Sequence, residues 1–279
     1  MHALFKRILT VLLTVALLAT ALSTVSCRQQ RPLDEISIDV LKIGKADCIV
    51  IQTGSGIVMI DTGEKENLSA IRAYMQERQY KKIDVLILSH YDKDHIGGVN
   101  EIVADYGVTT VIEPHVTDDT AEYVAYHETL AAHSVSVQKP LARYTFALGD
   151  CTFEVDVPQK KHYKVKHDNN ISLIVSMRYG EKSFLFCGDA METRLEEWIA
   201  CGYGAHDFVK LPYHGNDLPN YADFLDVCKP SYAAITCSKK NPPANDVLSL
   251  LEQYGTSVYL TLNGTVHVTT DGYSISITQ

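Results

Sequence analysis

No CxxC pair occurs anywhere in the 279 residues, which argues against a zinc site built from cysteines. An excess of positive charge is missing too, since 25 Lys and Arg stand against 34 Asp and Glu, for a net charge of −9. A protein whose main task is gripping long nucleic acid carries a basic stripe. The one basic cluster here, Lys160 to His167, reads as a solvated loop, so nucleic acid stays open as a substrate without being signalled by charge. Repeats, low-complexity tracts and interdomain linkers are absent after about residue 35. With 46% hydrophobic and 21% charged residues the chain is not of the disordered class, and its length allows a large buried core.

The N-terminus differs from the rest. Lys6 and Arg7 precede an uncharged run from Ile8 to Ser26, followed by Cys27 and Arg28. A positive start, an apolar stretch and small residues before a cleavage point describe an export signal, with a lone transmembrane helix as the alternative. Thr24-Val25-Ser26-Cys27 resembles a bacterial lipoprotein signal, with Thr24 departing from the usual leucine. The expectation is a signal over 1–26, a lipidated Cys27, a tether over 27–35 and one domain over 36–279, at the extracytoplasmic face of the membrane. Without a lipid on Cys27 the chain would be secreted. Six cysteines remain of the seven; Cys48, Cys187 and Cys237 sit in apolar runs as small buried hydrophobes, and no bridge is assigned.

Short apolar runs separated by turn signals follow. Strands are expected at Ile36 to Ile43, Cys48 to Gln52 and Ile57 to Ile60, the last two joined by Gly54-Ser55-Gly56. An amphipathic helix over Asn67 to Arg78 leads to a buried strand, Asp84 to Leu88, and a short helix, Gly98 to Tyr106. Further helices are read at 118–133, 192–200, 221–228 and 245–254. Further strands are read at 151–157, 171–178, 183–187, 207–211, 232–236, 257–260, 266–270 and 273–277. One α/β domain is the economical reading.

The densest chemistry is SHYDKDHIGG, residues 89–98, directly after the strand ending at Leu88. Loops at strand ends carry function because a rigid scaffold places them. His90, Asp92, Asp94 and His95 bring nitrogen and oxygen ligands into a small volume, a set suited to zinc and, with so many carboxylates, to manganese or iron. Gly97-Gly98 then allows a tight turn into a helix.

The motif resembles the HxHxDH signature of the metallo-β-lactamase superfamily, with Asp92 where the second histidine stands, a variant similar to the hydrolase domain of the ComEC/Rec2 family. The resemblance covers nearly all of the chain after the leader. Residues 38–47 are similar to a VGQGD opening, with Lys45 and Ala46 as departures; Asp61-Thr62-Gly63 matches a DTG element and Asn169 to Leu173 an NNxSL element. Phe186-Cys187-Gly188-Asp189 matches a GD element, and Lys210-Leu211-Pro212-Tyr213-His214-Gly215 one that commonly reads PHHG. Residues 263–265 and 270–272 resemble the terminal hairpin.

The resemblance implies an αββα sandwich of two mixed sheets flanked by helices, with two divalent metal ions, zinc foremost and manganese second, at one edge. His90 and Asp92 would hold one ion, Asp94, His95 and His214 the other, and Asp189 would bridge them. A further histidine that other members use has no clear equivalent; His167, Asp168 and Asn169 lie near its place, with Asn170 beside them. Asp94 is implied in catalysis as well as binding, Tyr213 and His167 are the candidate proton donors, and Asp61 would orient a ligand histidine. Elsewhere His2, His115, His127, His133, His206 and His267 stand outside any ligand spacing.

Metals in that arrangement make a hydroxide at neutral pH and stabilise an oxyanion. Three functions follow from the resemblance. The first is a phosphodiesterase acting on nucleic acid or a phosphate-containing envelope polymer, the second a lactonase or other ester or amide hydrolase, the third a metal-binding envelope module without catalysis. The first is preferred, because Asp92 and the missing further histidine depart from the β-lactamase pattern, while retention of His90, Asp92, Asp94, His95, Asp189 and His214 argues against a module without catalysis. A membrane contact through the lipid is expected, and no stable protein partner.

Overall fold

Apolar runs without polar alternation mark strands buried on both faces. A computed structural model, which describes residues 33–279, shows what covers each face. The expected signal and Cys27 lie outside the described residues, as does the side chain of His167.

The first sheet has eight strands. β1 (Ile36–Val40), β2 (Ile49–Thr53) and β3 (Gly56–Ile60) form an antiparallel meander, and β4 (Val85–Ile87), β5 (Thr110–Ile112) and β6 (Ser136–Gln138) continue it in parallel. The C-terminal β14 (Val266–Thr270) and β15 (Ile275–Thr278) add to the β1 edge. The second sheet has seven strands, in the order β13-β12-β11-β10-β9-β8-β7. Its members are β7 (Tyr144–Leu148), β8 (Cys151–Asp156), β9 (Ile174–Tyr179), β10 (Lys182–Phe186), β11 (Phe208–Lys210), β12 (Tyr232–Ile235) and β13 (Ser257–Leu260).

Alternate residues of one strand feed different cores. In β2, Ile49 and Ile51 join the layer between the sheets, while Val50 faces outward. In β10, Phe184 and Phe186 point inward and Leu185 outward. The outward residues of the first sheet meet α1 (Leu68–Glu77), α3 (Val99–Tyr106) and α4 (Ala121–Ala132) through Ile71, Met75, Ile102 and Leu130. Those of the second meet α6 (Glu192–Ala200), α7 (Tyr221–Cys228) and α8 (Asn245–Gln253) through Leu195, Trp198, Phe224 and Leu251. Two short turns of helix complete the set, α2 (Lys93–Ile96) and α5 (His167–Asn170). The result is helix, sheet, sheet, helix: the four-layer αββα sandwich. Each fully buried apolar side chain adds about 1.5–3 kcal/mol, so the layers are held mainly by these contacts.

Among the described residues every cysteine is free and all but Cys201 are buried, so the packing role read for Cys48, Cys187 and Cys237 is the one they have. No described helix is long and apolar enough to cross a membrane.

Parallel pairing is what gathers the chemistry. β3 runs parallel to β4, and β10, β11 and β12 run parallel to one another, so their carboxyl ends lie together on one edge of each sheet. The residues just beyond those ends are Asp61, Ser89 to His95, Asp189, Pro212 to Gly215 and Thr236.

The connecting loops are knitted by main-chain bonds. Asp47 N donates to Asp94 O at 3.1 Å, Thr62 N to His95 O at 2.7 Å, Gly63 N to Asp47 O at 2.8 Å and Gly98 N to Gly63 O at 3.2 Å. That closeness explains Gly97-Gly98. Both backbones have negative φ, so conformational freedom is not the reason. A Cβ on Gly97 would meet Lys93 O at 2.4 Å and one on Gly98 would meet Thr62 O at 2.6 Å. Gly98→Ala is therefore expected to destabilise the fold by about 1–3 kcal/mol, as overpacking against main chain does. An unchanged denaturant midpoint would show that the loops have room.

Candidate metal centre

Three imidazoles meet at this edge. The ring centroids of His90 and His95 are 4.0 Å apart and those of His95 and His214 5.5 Å. All three rings are essentially buried.

Each ring is held through Nδ1. His95 Nδ1 lies 2.7 Å from Asp61 Oδ2. His90 Nδ1 lies 3.0 Å from the Ser89 hydroxyl, which donates to Asp61 Oδ2 at 2.7 Å while Ser89 N donates to Oδ1. His214 Nδ1 lies 2.9 Å from Thr236 Oγ1, which donates to Asp47 Oδ1 at 2.6 Å. With the proton on Nδ1 in each case, the Nε2 lone pair is free to face inward.

The inward atoms converge on carboxylates. His95 Nε2 is 3.5 Å from Asp189 Oδ1; His214 Nε2 is 3.0 Å from Asp189 Oδ2 and 3.5 Å from Asp94 Oδ2; His90 Nε2 is 3.6 Å from Asp92 Oδ2. His90, His95 and Asp189 form one group of metal-ligating type, and Asp94, His95 and His214 another, each with ligand atoms within 4.8 Å of one another. The Nε2 atoms of all three histidines and Oδ1 of Asp189 are buried and have no hydrogen-bond partner. Buried polar atoms ordinarily find one. Inward nitrogens facing carboxylate oxygens with no other partner make a pocket that takes positive charge, as protons on the imidazoles or as divalent ions in their place.

The charges reinforce one another. Burial alone would lower the pKa of His95, but Asp189 and Asp61 overcome it and hold it well above the usual imidazole value. His214 is raised in the same way, chiefly by Asp189 against the effect of burial. Burial would raise Asp189 and Asp94, yet His214 and His95 hold both carboxyls well below the usual range.

Backbone geometry contributes. Asp61, Tyr213 and His214 all adopt left-handed φ, at 60°, 48° and 52°. Such conformations cost on the order of 1–3 kcal/mol each and persist where the surroundings over-determine them. Here they turn Asp61 toward His95 and swing His214 off the end of β11.

The remaining sequence candidates divide. Asp92 is half-exposed and lines a cleft of about 550 Å³ with Asp118, Asp119 and Asp168, so the mouth beside the centre is acidic. Asn169 is buried in α5. Asn170 uses its amide within the fold, accepting from Arg194 N at 3.0 Å and donating to Val165 O at 2.9 Å, which leaves it occupied by structure and not by a substrate. Tyr213 is half-buried against the outer core of the second sheet, its main chain donating to Gly188 O at 3.3 Å.

Five residues that the motif reading did not assign complete the site: Lys45, Asp47, Ser89, Lys210 and Thr236. Lys45 Nζ pairs with Asp94 Oδ2 at 2.8 Å and is half-exposed at the mouth. Lys210, fully buried, pairs with Asp47 and donates to Gly188 O at 3.1 Å. A lysine inside the apolar run Phe208-Val209-Lys210-Leu211 was the signal available for it.

The fold and this cluster define the class. The chain belongs to the metallo-β-lactamase superfamily, whose sequence model matches residues 42–224. Within that superfamily it is ComEC/Rec2-like. It is 26% identical over 258 residues to ComE operon protein 3 of Bacillus subtilis (strain 168), covering 83% of this chain and 33% of that protein. It is also 26% identical over 241 residues to Recombination protein 2 of Haemophilus influenzae, covering 83% of this chain and 28% of the relative. The chain thus spans about a third of the length of these curated relatives. Among solved structures, the metallo-beta-lactamase fold protein YhfI from Bacillus subtilis superposes with a TM-score of 0.58 at 12% identity, over 88% of this chain and 100% of that one. Igni18, a metallo hydrolase from Ignicoccus hospitalis, gives 0.55 at 14% identity, over 84% and 98%. At these identities the structural likeness concerns the fold. The superfamily's site is dimetal, and the clustered His and Asp groups are the candidate ligands for one here.

Proposed function

We propose that the chain is a metal-dependent phosphodiesterase working outside the cytoplasm, held at the membrane by a lipid on Cys27. The observation that carries the activity is the set of buried, donor-free Nε2 atoms of His90, His95 and His214 facing Asp189 and Asp94. His90, Asp92 and Asp189 are assigned to one ion and Asp94, His95, His214 and Asp189 to the other, with zinc the first choice of metal and manganese the second. Bound ions would supply a water of lowered pKa and positive charge for the developing oxyanion.

The chain's own residues do the rest. Asp61, directly at His95 and through Ser89 at His90, and Asp47, through Thr236 at His214, keep the Nδ1 protons in place, so Nε2 is the nitrogen turned to a cation. The acidic cleft of Asp92, Asp118, Asp119 and Asp168 repels a phosphate until cations offset it, which ties substrate entry to metal loading. Lys45 adds one positive charge at the mouth, within reach of a non-bridging oxygen. Tyr213, next to His214 in the chain, is assigned the leaving-group proton, with His167 as the second candidate.

A nucleic-acid phosphodiester is favoured among substrates because two relatives carry the names Recombination protein 2 and Competence protein ComA. A phosphate-bearing envelope polymer is the second choice. The test is metal content of protein purified without chelator, then turnover of bis(p-nitrophenyl) phosphate, single-stranded DNA, a lactone and a cephalosporin, with zinc or manganese. Two ions per chain and chelator-sensitive diester cleavage are expected. Bound ions with lactone turnover alone would replace the phosphodiesterase by an ester hydrolase, and absence of ions would remove the metal reading.

A further inference from the structure

Beside the two ligand groups of the centre lies a third of the same type: Asp47, Asp61 and His95, with ligand atoms within 4.8 Å of one another and all three residues buried. The second group is reached at Asp94 Oδ2 by a half-exposed ammonium, that of Lys45, from the mouth. The third is closed from within, because the buried Lys210 ammonium sits against Asp47 Oδ2, 3.1 Å from Gly188 O and 3.9 Å from Asp189 Oδ1.

We propose that Lys210 is a built-in cation of this site, filling the carboxylate gap between Asp47 and Asp189 that would otherwise take a further metal ion, and so limiting the ions bound. The inference rests on the metal-site reading above and adds to it a reason for the ion count.

The argument is one of charge and reach. Asp47, Asp61, Asp94 and Asp189 are four buried acids in one neighbourhood, and isolated buried carboxylates are strongly disfavoured. Lys45 serves Asp94 from the half-exposed mouth. Lys210 serves Asp47 from inside β11, anchored by its own strand, so its charge arrives with folding and cannot be chelated away. It also has a positioning role. With Oδ2 of Asp47 fixed by Lys210, Oδ1 is left to accept from Thr236, whose hydroxyl accepts from His214 Nδ1. The line Lys210, Asp47, Thr236 ends on Nδ1 of His214, the imidazole whose other nitrogen, Nε2, faces the centre.

The test compares the full-length chain with Lys210→Met, Lys210→Arg and the double variant Lys210→Met/Asp47→Asn. Each is equilibrated with excess zinc, freed of unbound ion, and assayed for metal per chain and for the rise in Tm on adding zinc. Lys210→Met is expected to hold one more ion than wild type, or to bind its last ion about tenfold or more tightly, since a unit charge a few Å away has been removed. Its Tm should depend on zinc more steeply than that of wild type. Lys210→Arg and the neutral double variant should both return to the wild-type count.

A Lys210→Met chain with the wild-type ion count and affinity would overturn the proposal. So would one that stays unfolded in zinc while the double variant folds, because the gap would then not accept a metal ion. Wild type without any ion would instead bring down the metal-site reading itself.

Discussion

Asp189→Asn is expected to lower kcat/KM for bis(p-nitrophenyl) phosphate by more than about a hundredfold, beyond the 10- to 100-fold typical of residues that only orient a ligand. The reason lies in its two oxygens. Oδ1 faces His95 Nε2 at 3.5 Å and Oδ2 faces His214 Nε2 at 3.0 Å, so this carboxylate looks toward the inward nitrogen of both rings. An amide keeps the shape, removes one negative charge and presents an NH₂ group where a cation needs a lone pair. Metal per chain should fall in parallel, read on the same preparation. The fold should survive, because Asp189 stands beyond the end of β10 and the amide keeps its shape beside His95 and His214. Wild-type metal content with near-wild-type turnover would mean that Asp189 does not belong to the centre.

Why this site could be read from the chain, and what escaped, has a physical pattern. SHYDKDHIGG was legible because hard ligands are dense there and follow a buried strand. Likewise Glu192–Ala200, Tyr221–Cys228, Ser257–Leu260 and Val266–Thr270 have the boundaries that their apolar periodicity implies. The strands Thr110–Ile112 and Ser136–Gln138 were not foreseen. Each is three residues long and the second is largely exposed, so neither has the run of apolar residues that marks a strand; β4 offers the first a parallel edge, and the first offers one to the second. Tyr144–Leu148 was missed for the same reason, being half-exposed along its length at the opposite end of the other sheet.

The unassigned site residues escaped differently. Asp47 and Thr236 are 189 positions apart, and nothing local in either stretch announces that one hydroxyl will link them to His214. Ser89 is the first letter of the motif but acts on Asp61, 28 positions earlier. Ligands can be counted along a chain, whereas the groups that orient them depend on which strand ends the fold brings to one edge. Gly97-Gly98 shows the same division: the pair was visible, and its reason, the approach of Lys93 O and Thr62 O, was tertiary.

The largest loss of stability is expected from Arg194→Met. Arg194 is fully buried in the first turn of α6 and ties that helix to two other segments at once. Its Nε donates to Ser172 O at 2.8 Å, its Nη2 donates to Asp156 O at 2.9 Å and pairs with the Asp156 carboxylate, and its main-chain N donates to Asn170 Oδ1 at 3.0 Å. Nη1 lies 3.7 Å from Glu197, a buried acid that also receives Tyr163 Oη. Methionine fills much of the volume but leaves Asp156 without its cation and Glu197 with only the Lys160 ammonium at 3.8 Å. Removing one partner of a buried pair costs about 3–5 kcal/mol. At about 2–4 °C per kcal/mol for a chain of this size, Tm should fall by roughly 6–20 °C. The denaturant midpoint should drop with little change of slope, since the loss is of contacts and not of compactness. Arg194→Met/Asp156→Asn should recover part of the loss, because one stranded charge is removed with its partner. The effect should also reach the metal centre. Ser172 is followed by Leu173, whose N donates to Ser89 O at 2.8 Å, so the segment that Arg194 pins is the one on which the His90 loop rests. A midpoint within about 0.5 kcal/mol of wild type, the range of ordinary surface substitutions, would show that the network is dispensable and that the apolar layers alone hold these segments together.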